Sequence, residues 1–150
     1  MVAPNDIINA VNELLVAKYP ESSMYINLLP KDFFRPSFLI ELPVFKKTAA
    51  NFATVNVIAI LTVTIYAPID GHYNSDVDGI NERMNNVLNI FSNGYLAVGD
   101  RCLAITDVYG TTDFTESIVE LEFDFFDDRV AVSVTDPIIE TVNINTVLEE

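Results

Sequence analysis

The sequence predicts an α+β fold, a two-layer sandwich with two helices packed on one face of a mainly antiparallel sheet. Three observations carry that expectation. Two segments repeat their apolar residues at three- and four-residue spacing, around residues 7–17 and 77–91. A long run from Phe52 to Tyr66 alternates at a spacing of two. A second long run, Phe114 to Phe126, sets an apolar row against an acidic one, the signature of an antiparallel sheet with one wet face. Half of the 150 residues are apolar, enough for one domain to bury a core without covalent staples.

Taken in order, Asn5 or Asp6 after Pro4 is expected to cap a first helix whose buried stripe is Ile7, Ile8, Val11, Leu14, Leu15 and Ala17. Tyr19-Pro20 ends it, because the residue before a proline is pushed out of the helical region. Met24–Leu28 reads as a short strand, and Pro30 and Pro36 bracket a loop leading to a strand at Ser37–Leu42. Lys46 to Asn51 reads as a projecting hairpin loop. The long central strand follows, with Val55, Val57, Ala59, Leu61, Val63 and Ile65 on one face. Ser75 is expected to cap the second helix, with Val77, Ile80, Met84, Val87, Leu88 and Phe91 inward and Asn93-Gly94 as its stop. The rest is β: Tyr95–Val98, Arg101–Val108, a turn at Tyr109–Asp113, and the last strand. The element order is written α-β-β-β-α-β-β. Residues 1–129 form the domain, and 130–150, broken by Asp136-Pro137 and ending in a β-branched run, read as a C-terminal arm. Ile138, Ile139, Val142 and Ile144 suit that arm to strand addition, on its own sheet or a neighbour's.

Charge narrows the function. The formal net charge is −14, and from Asp100 onward 13 acids face only Arg101 and Arg129. Binding to the phosphate backbone needs clustered Lys and Arg, so no nucleic-acid partner is expected. The start of the chain shows no basic leader, and no run approaches the roughly 20 apolar residues of a membrane span. No membrane partner is expected, and the product reads as soluble and cytoplasmic.

Chemistry is sparse. His72 lies in a loop between Gly71 and Tyr73, and the single Cys102 is expected to be a small core residue. No GxSxG, P-loop, GxGxxG or HExxH motif occurs, and no Cys/His cluster has zinc spacing. Asp76-Val77-Asp78-Gly79 lacks the later ligands of a calcium loop and is read as a helix cap. No catalytic residue, metal or cofactor is expected. The carboxylates of the last strand, Glu116, Glu120, Glu122 and Asp124, are the one group in which acid–base chemistry would be sought.

The order of several segments resembles the phage tail terminator family found in tail modules of Gram-positive phages, defective prophages and tail-like bacteriocins. The segments are Ile7-Ile8-Asn9-Ala10-Val11-Asn12 with Leu15, Tyr19-Pro20, Met24-Tyr25-Ile26 and Arg35-Pro36-Ser37-Phe38-Leu39-Ile40. Val63-Thr64-Ile65-Tyr66 and Ile80-Asn81-Glu82-Arg83-Met84 with Leu88 continue the pattern, which spans about residues 7 to 126. The resemblance implies a structural homo-oligomer, a hexameric ring on the last layer of the tail tube. Such a ring stops tube and sheath polymerisation, with tail tube protein and sheath protein as partners and a head–tail connector in complete phages. It carries no catalytic residue over. On this reading Glu116, Glu120, Glu122 and Asp124 face the ring lumen or a basic neighbouring ring, and the loop residues Lys46, Lys47 and Asn51 contact a neighbouring subunit. Another head–tail connector or tail-completion protein is the alternative, and a small α+β enzyme a distant one.

Overall fold

A computed structural model describes residues 1–130. Its elements are α1 (Pro4–Lys18), β1 (Ser23–Ile26), β2 (Ser37–Ala49), β3 (Thr54–Tyr66), α2 (Val77–Phe91), β4 (Tyr95–Val98), β5 (Arg101–Thr112) and β6 (Ser117–Asp128). Three strands therefore follow α2, where the sequence order counted two. The fold is α+β, with a six-stranded sheet in the order β1-β2-β3-β6-β5-β4. The sheet is mixed: β1 runs parallel to β2, and every other pairing is antiparallel. A parallel neighbour requires a crossover, and residues 27–36 provide it.

β3 and β6 pair without interruption from Thr54↔Asp128 to Ile65↔Ser117. Because side chains alternate, this register sends Val57, Ala59, Leu61, Val63 and Ile65 inward with Val119, Leu121, Phe123 and Phe125, all buried. Both helices pack on that inner face, where Ile7, Val11 and Leu15 of α1 and Val87 and Phe91 of α2 join the same core. Arg83 of α2 stacks on Tyr19 at the end of α1, 5.1 Å from ring centre, and donates to Ser22 Oγ at 3.1 Å.

Several local expectations are corrected. Helix α1 starts earlier than expected, with Ala3 rather than Asn5 or Asp6 at the cap, Pro4 at the first helical position and the Asp6 carboxylate accepting the Ala3 N–H at 2.8 Å. Helix α2 is capped by Asp76, whose carboxylate accepts from Gly79 N at 3.1 Å; Ser75 lies outside it. Val77, expected inward, is exposed at the first turn of α2. The segment expected as a loop at Lys46–Asn51 is largely strand: β2 stays paired with β3 as far as Ala49↔Val55, and only Ala50 and Asn51 lie in the hairpin turn. Likewise Tyr109–Thr112, expected as a turn, continues β5 against β6 and leaves the turn to residues 113–116. Cys102 is exposed, because β5 turns its neighbour Leu103 inward.

One-residue irregularities explain why β2 and β5 were harder to read. Between Glu41 and Val44, β2 advances three residues while β3 advances two; between Ile105 and Asp107, β5 advances two while β6 advances one. Each is a bulge that exchanges the faces of all later side chains on its strand. The inward row of β2 therefore includes Phe38 and Ile40 before the bulge and Phe45 and Lys47 after it.

At the end of β6 an acid sits on the inward row. Asp127 is buried and accepts from Val2 N at 2.7 Å, Asp128 N at 2.8 Å and Arg101 Nη1 at 2.7 Å, while Arg101 Nη2 reaches Asp128 at 2.7 Å. Burial alone would raise the Asp127 pKa, but these donors outweigh it and hold the group below its ordinary 3.8. A folded pKa below the unfolded one means that the carboxylate stabilises the fold fully above about pH 4, and that this is lost as pH falls through the folded value. Asp127→Asn should cost about 1–3 kcal/mol at neutral pH. In urea titrations its gap to the wild type should narrow below about pH 4; a gap unchanged by pH would show that the charge is not the source. Phe123→Ala, at a fully buried position of a central strand, should cost about 3–5 kcal/mol in the same assay.

Candidate functional site

The face of the sheet opposite the helices divides into two halves. In the open half, β6 presents Glu120, Glu122 and Asp124, with Thr62, Ile60 and Ile58 of β3 opposite them in that order. Beyond β6, Asp107 and Tyr109 of β5 stand opposite Glu122 and Glu120; beyond β3, Glu41, Val44 and Lys46 of β2 complete the rows. Three of the four expected carboxylates thus share one exposed face around a short apolar strip. Tyr109 donates its hydroxyl to Glu120, which holds the phenol proton on and raises its pKa. Asn56 Nδ2 donates to Asp124 at 2.6 Å.

Glu116 lies elsewhere. It precedes β6 at the β5–β6 turn, where its carbonyl accepts from Asp113 N at 2.8 Å. Its side chain lies against Tyr66, whose pKa is pushed up to about 12, first by burial and then by the Glu116 charge.

Tyr66 belongs to the covered half. Here the β1–β2 crossover folds back over the sheet and buries Leu39, Thr64 and Tyr66, all on outward rows. Phe33 from the crossover packs on Tyr66 with ring centres 4.8 Å apart and meets Tyr25 of β1 edge-on at 6.4 Å. The Arg35 guanidinium lies 5.1 Å from the Phe33 ring centre and 5.2 Å from that of Tyr66. Its Nη1 reaches Ser75 Oγ at 3.4 Å and the Thr115 carbonyl at 3.5 Å. One residue therefore touches three connections: β1–β2, β3–α2 and β5–β6.

Of the other expected contact residues, Lys46 lies on the acidic face, Lys47 on the opposite side, 5.4 Å from the Phe45 ring centre, and Asn51 in the turn. The Asn51 side chain accepts from Ala53 N and Thr54 N, both at 2.8 Å, so it shapes the hairpin itself. Ile138, Ile139, Val142 and Ile144 lie outside the described residues. The Arg35 cluster was not singled out in the sequence, although Arg35-Pro36 between Phe34 and Phe38 marks an ordered crossover. Asp127 had a clearer signal, an acid on the apolar row of β6.

Chemistry finds no centre on the acidic face. Two hollows of about 410 and 370 Å³ flank α1 and the edge strand β4, and none of the four carboxylates lines them. Among the described residues no group of three or more His, Cys, Asp or Glu is placed to hold a metal ion. Also among them, no helix is long and apolar enough to cross a membrane.

Comparison with known proteins gives one decisive match. A search of the curated proteins finds none. One solved structure shares 13% identity and a TM-score of 0.44, with 89% of this chain and 100% of the other covered, a likeness too distant to bear on function. The family model described as "Phage tail terminator protein", by contrast, matches residues 6–134, which take in all six strands, α2 and all of α1 but its first two residues. With its whole sheet and nearly all of both helices within that match, the chain belongs to the phage tail terminator family, a family of structural tail proteins.

Proposed function

We propose that this chain assembles into a ring, six-fold by analogy with the family resemblance, that caps the tail tube and stops its polymerisation. The observation that carries the reading is the family match across residues 6–134. The site geometry agrees with a structural role, because the acids lie on an open sheet face rather than in a pocket. Tube protein and sheath protein are the proposed neighbours, with a head–tail connector where a head is present. The proposed location is the head-proximal end of a tail or tail-like particle.

Within such a ring, Glu120, Glu122 and Asp124 are proposed to face the channel, with Glu116 at its margin. A channel wall with a large excess of negative charge, here against Lys46 alone at its far end, repels a phosphate backbone and lets it slide, whereas a basic wall would hold it. The arm beyond residue 130 is proposed to bind by strand addition through Ile138, Ile139, Val142 and Ile144, and Lys46 and Lys47 to meet an acidic neighbour.

Light scattering on the purified chain, or on rings recovered from tube ends, should give six times its 16.7 kDa. Negative-stain images of tails made without it should show overlong tubes. A permanent monomer whose removal leaves tail length unchanged would overturn the proposal. Replacing Glu116, Glu120 and Glu122 with Gln and Asp124 with Asn should leave the fold intact, since all four lie outside the core, but lower the fraction of capped tails. Capping equal to the wild type would remove the channel assignment.

A further inference from the structure

The end of the sheet at which β2 and β6 begin and β3 and β5 finish carries three exposed aromatic rings. Phe34 in the β1–β2 crossover is 74% exposed, Tyr73 in the β3–α2 connection 85%, and Phe114 in the β5–β6 turn 80%. Leu28 and Ile69 are exposed in the first two of these connections. Large rings left in water forgo the gain of burial, and three of them on neighbouring connections at one end of the sheet point to a surface that another molecule covers.

The backbone beneath each ring is fixed. The Phe34 N–H donates to the Tyr25 hydroxyl at 3.0 Å, and the Phe114 N–H to the Asp113 carboxylate at 2.6 Å. Asp70 accepts from the N–H groups of His72 and Asn74 on either side of Tyr73, at 2.8 and 2.9 Å, and these bonds, led by that of Asn74, hold its own pKa low. Tyr73 itself is held at a φ of 63°, a conformation a bulky side chain adopts only when its surroundings impose it. Arg35 then ties the three connections together through Ser75 and Thr115. Rings on pinned backbones lose little freedom on binding, which is the character of interface anchors.

We infer that Phe34, Tyr73 and Phe114 form a preorganised docking surface for a different protein, one that offers apolar pockets rimmed by Lys and Arg. The charge around the rings selects that partner. These connections carry Asp32, Asp70, Asp76, Asp113 and Glu116 against Lys31 and Arg35, and Arg35 is already engaged by the aromatic stack. A second copy presenting the same end would set like charge against like, which disfavours self-association here. The inference deepens the proposed function and rests on it, since in a terminator this partner is another tail component.

The test uses the full chain and tails purified from particles made without it. Wild type and the triple variant Phe34→Ser/Tyr73→Ser/Phe114→Ser are sedimented with the tails across salt concentrations. The variant should match the wild type in melting temperature and in its own oligomeric state, and bind the tails at least about tenfold more weakly. Wild-type binding should weaken with salt, as opposite charges at the rim require. Equal binding of the two proteins overturns this surface while leaving the terminator reading intact. Wild-type protein that ignores the tails overturns both. A variant that loses its own oligomer, or wild-type binding that salt does not weaken, overturns the choice of a basic partner over a second copy.

Discussion

The antiparallel pairing of β3 with β6 is the constraint from which the other arrangements follow. It occupies the middle of the sheet, runs without a bulge, and faces the helices with nothing but apolar and small side chains until Asp127. A shift of one residue between the two strands would press Glu120, Glu122 and Asp124 against α2 and expose Leu121 and Phe123. The helices pack where that row directs them, and the acidic face is its geometrical complement. Core and candidate channel wall are therefore two sides of a single choice.

What could be read directly was what depends on local periodicity. The inward row of β3, both rows of β6 and most of the buried stripe of α2 appear in the chain as spacings of two or of three and four. What depends on a partner was harder to read. Lys46–Ala49 looks polar enough to be loop, yet it is held as strand because β3 lies alongside. The parallel placement of β1 is set by a crossover whose anchors, Tyr25, Phe33 and Tyr66, are far apart in sequence. Both helix caps moved: at α2 from Ser75 to its polar neighbour Asp76, and at α1 from Asn5 or Asp6 back to Ala3, because Pro4 suits the first helical position. Of the candidate site, the acids of β6 were legible as a group, whereas the separation of Glu116 from them required knowing where the strand begins.

The molecule distributes its surface chemistry by direction. One sheet face is acidic, one end is aromatic and the opposite end holds the charged Arg101–Asp127–Asp128 group and the basic start of the β2–β3 hairpin tip. A subunit that must meet several different neighbours at once needs such separation, because each contact can then be adjusted without disturbing the rest.

The bulge between Glu41 and Val44 has a bearing on how this hairpin can change over time. Beyond it, the side of the sheet that each residue occupies depends on an extra residue near Pro43: regular pairing of the same chain would carry Phe45 out of the core and bring Val44 and Lys46 into it, whereas removing that one residue would restore plain alternation with Phe45 still inward opposite Ala59. The core thus ties this residue to the bulge, while substitutions along the outer hairpin can accumulate one by one. Homologues should accordingly either carry both the extra residue and the bulge or lack both, with an apolar side chain at the Phe45 position in each case.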